Sequence, residues 1–525
     1  MKRTIYTCSK ELIKRFHPWQ ACILFLLLLS NCKKKFQGPD IVPGICTEPN
    51  GSCPEFQSLQ YALNPSGNAP LTAVISVTAN QPVTLSYTVK GQDGEDFSFS
   101  NNSLSVDYDT AINLFGLYPG FTNTVVVSIA NKDGFIVQKT LSIATSTLPA
   151  DVPQANEIIV NARNSGILSK FIMLFPNKFK ALSSSLGANT IAIDTYGKVR
   201  WYFTNTALKG KHALPLKNGH WLVMLGSSFV EVDLMGNIIK TIPVFFKTHH
   251  DVCIAANGDL IYLGDSDLNN TIEDKVYRVN YNTGALIDSI NIFTILDPLR
   301  PQMPVGPAND WLHTNSISYD AVDNSIIVSG RQQSAVFKID LATKQLRWIL
   351  ADTTGWNNTL KTRVLKSSGA NFEHSWGQHS AILKPGDHNA ILVFDNGNSR
   401  SYTHPLVPTA NYSRCVEYTI NEEAKTVVQN FEFGKSYGAA LFAPYISNVQ
   451  YLTSDRMFIN YGGIYKDIAN NATELDNPNG RNQVRIFETD RNRNVYFDIS
   501  IKNPNTAEPQ LIGFMSYRAY SFSFQ

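Results

Sequence analysis

Residues 313–350, "HTNSISYDAVDNSIIVSGRQQSAVFKIDLATKQLRWIL", read as four short apolar strands separated by tight polar turns. The same order, a strand, a turn, a strand, then a further pair around a second turn, occurs from His212 in "HALPLKNGHWLVMLGSSFVEVDLMGNIIKTI". It recurs from His250 in "HDVCIAANGDLIYLGD" with "KVYRVNYNTGALIDSI", and from His379 in "HSAILKPGDHNAILVFDNG" with "SRCVEYTINEEAKTVVQNFEFG". A further copy is "ISNVQYLTSDRMFINYGG" with "NQVRIFETDRNRNVYFDIS". An incomplete one, "ILSKFIMLF" with "NTIAIDTYGKVRWYF", lacks its first strand. Units of four antiparallel strands repeating at intervals of about 35–65 residues are the signature of a β-propeller, here with six blades. The C-terminal "MSYRAYSFSF" is the expected donor of the missing strand, which would close the ring and leave no open edge. The competing arrangement, an elongated stack of sheets, leaves that last strand without a partner.

His212, His250, His313 and His379 each stand at the entrance of the first strand of their unit. A plain hairpin needs only something small or apolar there. Equivalent blade positions converge around one axis, so imidazoles from separate blades are expected in a common space, with His212 in the poorest chemical context. Arg331 ends the second strand of the His313 unit in "IIVSGRQQSA" and brings a permanent cation into a loop beside them. Its guanidinium offers fixed donors that match a tetrahedral oxyanion. The cluster therefore reads as an anion site. A zinc site made from the same imidazoles would ordinarily add a carboxylate, for which Asp251 is the nearby candidate, and Arg331 would repel the metal. No metal and no cofactor are expected, and there is no glycine-rich loop of the Walker type for a nucleotide.

The first 150 residues form a separate unit. "LTAVISVTANQPVTLSYTVKGQDGEDFSFS" and "AINLFGLYPGFTNTVVVSIANKDGFIVQKTLSIAT" hold six or seven alternating strands, the size of an immunoglobulin-like β-sandwich, expected over 59–148. "STLPADVPQ" marks the boundary, and the propeller is expected over 155–525. The predicted class is all-β. Residues 1–32 carry Lys2, Arg3, Lys10, Lys14 and Arg15, then "ACILFLLLLS" ahead of Cys32. That pattern predicts a lipoprotein signal peptide with Cys32 as the lipid anchor, although Asn31 stands where a small residue is usual. Residues 33–58 are then a linker, and no other stretch looks transmembrane. Cys46 and Cys53 bracket the turn-rich "TEPNGS" and could close a local disulfide in an oxidising compartment. Cys253 and Cys415 lie in predicted strands and read as buried thiols. A net charge of +2 with 17% charged residues offers no case for nucleic acid or acidic polymers, while 43% hydrophobic residues support a large core.

The long ordered motifs "THHDVCIAANGD", "DWLHTNSISYDAVDNSIIVSGRQQSAVFKID", "GQHSAILKPGD" and "FDNGNSR" with "YSRCVEY" resemble the bacterial aryl-sulfate sulfotransferases. "INLFGLYPGFTNTV" resembles their N-terminal sandwich, so the likeness runs from about residue 60 to the C-terminus. The resemblance implies transfer of a sulfuryl group from a phenolic sulfate ester to a phenol by a ping-pong route through a sulfohistidine, with no nucleotide donor. It assigns the nucleophile to His379, sulfuryl binding to His313 and Arg331, and the remaining histidine to His250, with His249 as the alternative of the pair. It further implies substrate contacts from His249, Asn315 and Asn396, a small aromatic sulfate donor and a phenolic acceptor as partners, and a homodimer. Gln332 departs from the family, which frequently has a histidine there, and puts acceptor preference in question. The expected location is the periplasm or cell envelope of a Gram-negative bacterium, lipid-anchored through Cys32. Two other readings stand beside it, a propeller lipoprotein that only binds a ligand and an aryl-sulfate ester hydrolase.

Overall fold

The computed structural model describes residues 46, 53–92, 95–100, 107–180, 184–266, 270–301, 307, 309–504 and 512–524. The segment expected to be a signal peptide, with Cys32, and most of the expected linker lie outside the described residues. Strand accounts for 51% of the structure and helix for 4%, so the all-β class is borne out. Among the described residues no helix is long and apolar enough to cross a membrane.

The N-terminal sandwich is organised by one 17-residue strand, Ala73–Val89. Its first half pairs with Phe56–Leu63 and Asp107–Leu114, and its second half with Thr122–Ala130 and Phe97–Ser100. One strand thus belongs to both layers. Ala73, Ile75, Val77, Val83, Leu85 and Val89 alternate inward along it, the period of a strand with one buried face. Cys46 and Cys53 form a disulfide, and the Cys46 N–H donates to the Ile136 carbonyl at 3.1 Å, which ties Cys46 to the sandwich.

Six sheets of four or five strands follow among the described residues, curled as in a propeller. The second to sixth open with the strands Ala213–Pro215, Lys247–Ile254, Thr314–Asp320, His379–Lys384 and Asn448–Tyr451. The first sheet takes its opening strand from the C-terminus: Ile512–Phe522 pairs antiparallel with Phe171–Lys180, as the incomplete first repeat predicts. A second closure was not visible in the repeat. Ile158–Arg163 pairs with Val495–Ile501 and covers the outer edge of the sixth sheet. Both ends of the ring segment are therefore held inside sheets rather than by loops.

The opening strand of each sheet has a partner on one side only, which leaves backbone groups on its other edge to be satisfied elsewhere. Side chains of the preceding sheet do this in series. Asp251 Oδ2 accepts from the Ile317 N–H at 3.0 Å, Ser316 Oγ from Ala381 at 2.9 Å, and Ser380 Oγ from Val449 at 3.2 Å. Asn448 completes the series on the latch strand, accepting from the Ala519 N–H and donating to its carbonyl, both at 2.8 Å. The sandwich docks where that latch ends. Phe524 stacks on Phe115 with ring centroids 4.9 Å apart, and Arg200 joins Asp194 Oδ2 (2.7 Å) to the Gly116 carbonyl (2.9 Å from Nε). Gly116 has φ +79°, and a Cβ there would meet Phe97 at 2.8 Å.

Replacing Asn448 by Ala strands the buried N–H and C=O of Ala519 together. The expected loss is about 3 kcal/mol of unfolding free energy, read by denaturant or calorimetric unfolding. A loss below about 0.5 kcal/mol would show that the series does not hold the ring.

Candidate active site

The side chains singled out in the sequence, His212 excepted, meet where the opening strands of the third, fourth and fifth sheets begin. Each of these strands is irregular there. The register shifts between Thr248 and Val252, between Thr314 and Ser316, and between His379 and Ile382. His250, His313 and Ser380 have φ of +51°, +53° and +54°, a left-handed backbone that non-glycine residues seldom adopt. Bulges with such residues re-aim side chains out of the normal alternation and cluster at functional sites.

His379 is buried, and its Nδ1 lies 2.8 Å from Asn396 Oδ1. The Asn396 Nδ2 donates to the carbonyls of Ala443 (2.8 Å) and Ile446 (3.0 Å), so its amide can be turned only one way. The oxygen must accept. His379 therefore carries its proton on Nδ1 and leaves the Nε2 lone pair uncommitted. Burial holds His379 well below the ordinary imidazole range, and the Arg331 charge lowers it further, with His313 and His250 adding to the effect. Arg331 and His379 also share a neighbour, the segment 443–446: Arg331 Nη2 lies 3.4 Å from the Pro444 carbonyl, and the Asn396 amide that holds His379 donates to Ala443 and Ile446.

Arg331 follows the strand Ser325–Gly330, and its backbone N–H donates to the His313 carbonyl at 3.1 Å. Its guanidinium is buried, with Nη2 3.4 Å from the Pro444 carbonyl. The Nδ1 of His313 donates to Asp310 Oδ2 at 2.7 Å, and Glu273 Oε2 lies 2.7 Å from the same nitrogen. Burial alone would lower this imidazole, but the Asp310 bond and then Glu273 outweigh it and push the group up to about 9. Burial works against ionisation of Glu273 too, yet the His313 bond and the surrounding imidazoles bring it down to about 2. Burial raises Asp310 despite His313.

The His250 ring centroid is 4.7 Å from that of His313, and its Nδ1 is 3.0 Å from His249 Nδ1. Burial keeps both imidazoles of the pair below the ordinary value. His249 points its Nε2 toward Asp265, 3.8 Å away, so His250 is the member beside His313. His212 stays apart from this group: it packs edge-on to Tyr517 at 5.4 Å, with Nε2 3.7 Å from Asp251. Asn315 is buried and donates from Nδ2 to the Gln378 carbonyl at 2.8 Å, while its Oδ1 has no hydrogen-bond partner. Asn396 has both ends of its amide engaged within the protein, a positioning geometry.

Two three-residue groups, His249–His250–Glu273 and Glu273–Asp310–His313, bring potential metal donors within 4.8 Å of one another. Within them His249 and His250 meet through Nδ1, and His313 Nδ1 bonds Asp310, while Glu273 Oε2 lies 2.7 Å from His313 Nδ1 as an ion pair without a hydrogen bond of its own. The third group, Asp320, Asp323 and His388, already holds a cation: the Lys338 ammonium lies 2.8 Å from Asp320 and 2.6 Å from Asp323.

Sequence reasoning missed Glu273, Asp310, Tyr517 and Arg518. Asp310 stood in view within "DWLH", three residues before His313. Glu273 sits in a connecting loop with no motif of its own. Tyr517 and Arg518 lie on the latch strand, where a register shift between Ser516 and Ala519 turns them aside. The Tyr517 ring is 5.9 Å from that of His250, and Arg518 pairs with Asp251 at 2.8 Å.

A family model described as arylsulfotransferase matches residues 149–506, and a model of the arylsulfotransferase Ig-like domain matches residues 61–146. The chain belongs to the arylsulfotransferase family. It is 27% identical over 513 residues to the arylsulfate sulfotransferase AssT of Escherichia coli O6:H1, covering 76% of this chain and 84% of the relative. It is 26% identical over 507 residues to the AssT of Lelliottia amnigena, with the same coverage. This arylsulfotransferase is accordingly an enzyme of that type, with an Ig-like domain ahead of its propeller sheets.

In this arylsulfotransferase the neutral state of His379 depends on burial, Arg331 and a neutral amide. Asn396→Asp would set an anion against Nδ1 and is expected to raise the His379 titration midpoint by about one unit or more, read by NMR of the imidazole. An unmoved midpoint would show that Asn396 does not govern the proton on His379.

Proposed function

We propose that the protein moves a sulfuryl group from a phenolic sulfate ester to a phenolic acceptor in two half-reactions, carrying it in between on His379 Nε2. The observation that supports this most directly is the Asn396 clamp. It keeps the His379 proton on Nδ1, so Nε2 presents a lone pair at neutral pH with no separate base. In the first half-reaction that lone pair forms the N–S bond, and the S–O bond to the aryl group breaks with its electrons on the phenolic oxygen. In the second, the acceptor oxygen attacks sulfur and the N–S electrons return to His379.

Sulfuryl transfer is expected to resemble phosphoryl transfer, with a loose transition state whose charge spreads over the peripheral oxygens. Fixed cations close to those oxygens stabilise it without reorganisation. Arg331 is such a group, held in place by the protein rather than by solvent, and the protonated His313 adds positive charge beside it. The ester itself supplies the group transferred, so the route needs no nucleotide donor. Lipid anchoring at Cys32 in the Gram-negative cell envelope is part of the same reading. The Cys46–Cys53 disulfide supports export to an oxidising compartment.

His379→Asn is expected to abolish transfer from p-nitrophenyl sulfate to phenol with the fold intact, and wild-type protein exposed briefly to the donor should carry an added sulfuryl group on the peptide containing His379. Turnover by the variant, or an unmodified peptide, would remove His379 from the role. Colour release that is unchanged when phenol is omitted would instead favour hydrolysis. Arg331→Ala is expected to cost about 100-fold or more in kcat/KM, and a loss under tenfold would defeat the anion-site assignment. Because His379 is held well below 6.5, kcat/KM should stay flat from neutral pH down through that value. An acid limb centred there would contradict it.

A further inference from the structure

We propose that Glu273 and Asp310 are positioning residues of this transfer: they clamp Nδ1 of His313 between two carboxylates, aim its Nε2–H at the aryl oxygen, and make His313 rather than His250 the group that gives and takes back the phenolic proton. The inference rests on His379 as sulfuryl carrier and deepens that reading.

The two carboxylates reach one nitrogen from different sheets. Asp310 precedes His313 in its own loop, and Glu273 comes from the loop between the strands Leu260–Asp265 and Lys275–Val279 of the third sheet. The Glu273 backbone is stitched to the residue beside His313. Its carbonyl accepts from both the N–H and the Oγ1 of Thr314, each at 2.8 Å, and its N–H donates to Asp265 Oδ1 at 2.5 Å. Glu273 also has φ +54°, a conformation that persists only where the surroundings impose it. Asp310 Oδ1 and Glu273 Oε2 are both buried without a hydrogen-bond partner, a cost that buried polar groups rarely carry without a reason. Asp310 Oδ2 takes the Nδ1 proton, and Glu273 acts on the ring by charge at 2.7 Å.

His250 and His313 occupy comparable positions on adjoining sheets but meet opposite surroundings. The His250 Nδ1 faces another imidazole at 3.0 Å and stands 3.6 Å from Glu273. The His313 Nδ1 has both carboxylates at 2.7 Å. The other ionisable groups around His313 are the Arg331 guanidinium and the imidazoles of His249, His250 and His379, all three held below their ordinary value, chiefly by burial. Two anions against one fixed cation leave His313 protonated up to about pH 9 and His250 neutral. Neighbouring groups whose surroundings push their proton affinities apart divide the acid and base roles between them.

The step balances without another reagent. As the S–O bond breaks, the His313 Nε2 proton passes to the aryl oxygen and phenol leaves. His313 keeps its Nδ1–H on Asp310 Oδ2, with Glu273 beside it, so its Nε2 is now the base. The acceptor phenol returns a proton there as its oxygen attacks sulfur and frees His379.

The test compares full-length Glu273→Gln and Asp310→Asn with wild type, measuring kcat/KM against pH with two donors: p-nitrophenyl sulfate, whose phenolate leaves unaided, and phenyl sulfate, whose phenolate needs a proton. Wild type should lose activity as pH rises through about 9, and each variant should bring that alkaline limb down by about one unit or more. The variants should lose about 100-fold more with phenyl sulfate than with p-nitrophenyl sulfate. Folded variants with an unmoved limb and equal losses on both donors would overturn the assignment. Should a variant fail to fold, NMR titration of His313 in wild type decides: a midpoint at or below 6.5 overturns it. A wild-type protein that forms no adduct on His379 defeats the transfer reading itself, whereas an adduct with an unmoved limb defeats only the roles of Glu273 and Asp310.

Discussion

A strand that opens a sheet beside a ring axis has one edge without a strand to pair with, and each N–H left there must find an acceptor. In this protein the preceding sheet supplies it, through Asp251, Ser316, Ser380 and Asn448 in turn. Chemically unlike residues perform one task because only the position of an acceptor atom matters. The linkage also fixes the spacing between sheets at the depth where the imidazoles lie. Asp251 and Ser380 directly follow His250 and His379 in the chain, so the bonds that join the sheets also hold the backbone from which those rings project.

That constraint explains the irregular backbone. A regular strand would send successive side chains to opposite faces of its sheet. The register shifts and the left-handed residues His250, His313 and Ser380 break the alternation at one level in three adjoining sheets. The result is a buried group with graded charge. Arg331 is a fixed cation, His313 a cation sustained by two carboxylates, and His250 and His379 are neutral imidazoles. Each state follows from what touches the ring rather than from the residue type.

Ring closure is part of the same construction. The latch strand Ile512–Phe522 pairs with the first sheet, accepts the Asn448 bridge, and turns Tyr517 and Arg518 toward the histidines. Two residues beyond it, Phe524 stacks on the sandwich at Phe115. Loss of the C-terminal strand would therefore disturb the sheet, the site and the domain contact at once. Phe514 and Ala519, both fully buried on that strand, belong to the hydrophobic cluster that also contains Ile75 and Val127 of the sandwich.

The sequence by itself determined the repeating four-strand unit, the sandwich ahead of it, the need for a strand from the C-terminus, and His313, Arg331 and His379 as candidates. Periodicity, turn residues and recurrence are local, so they survive in one dimension. Only the tertiary structure decided the contrasting proton affinities of His250, His313 and His379, the choice of His250 over His249 beside His313, the engagement of Asn396 within the protein, and the arrival of Glu273. The physical reason is that proton affinity and orientation depend on atoms a few ångströms away, contributed by loops of other sheets with no spacing rule to betray them. Asp310 marks the boundary between the two: it stood in the quoted motif, but its meaning required the second carboxylate that folding places against the same nitrogen.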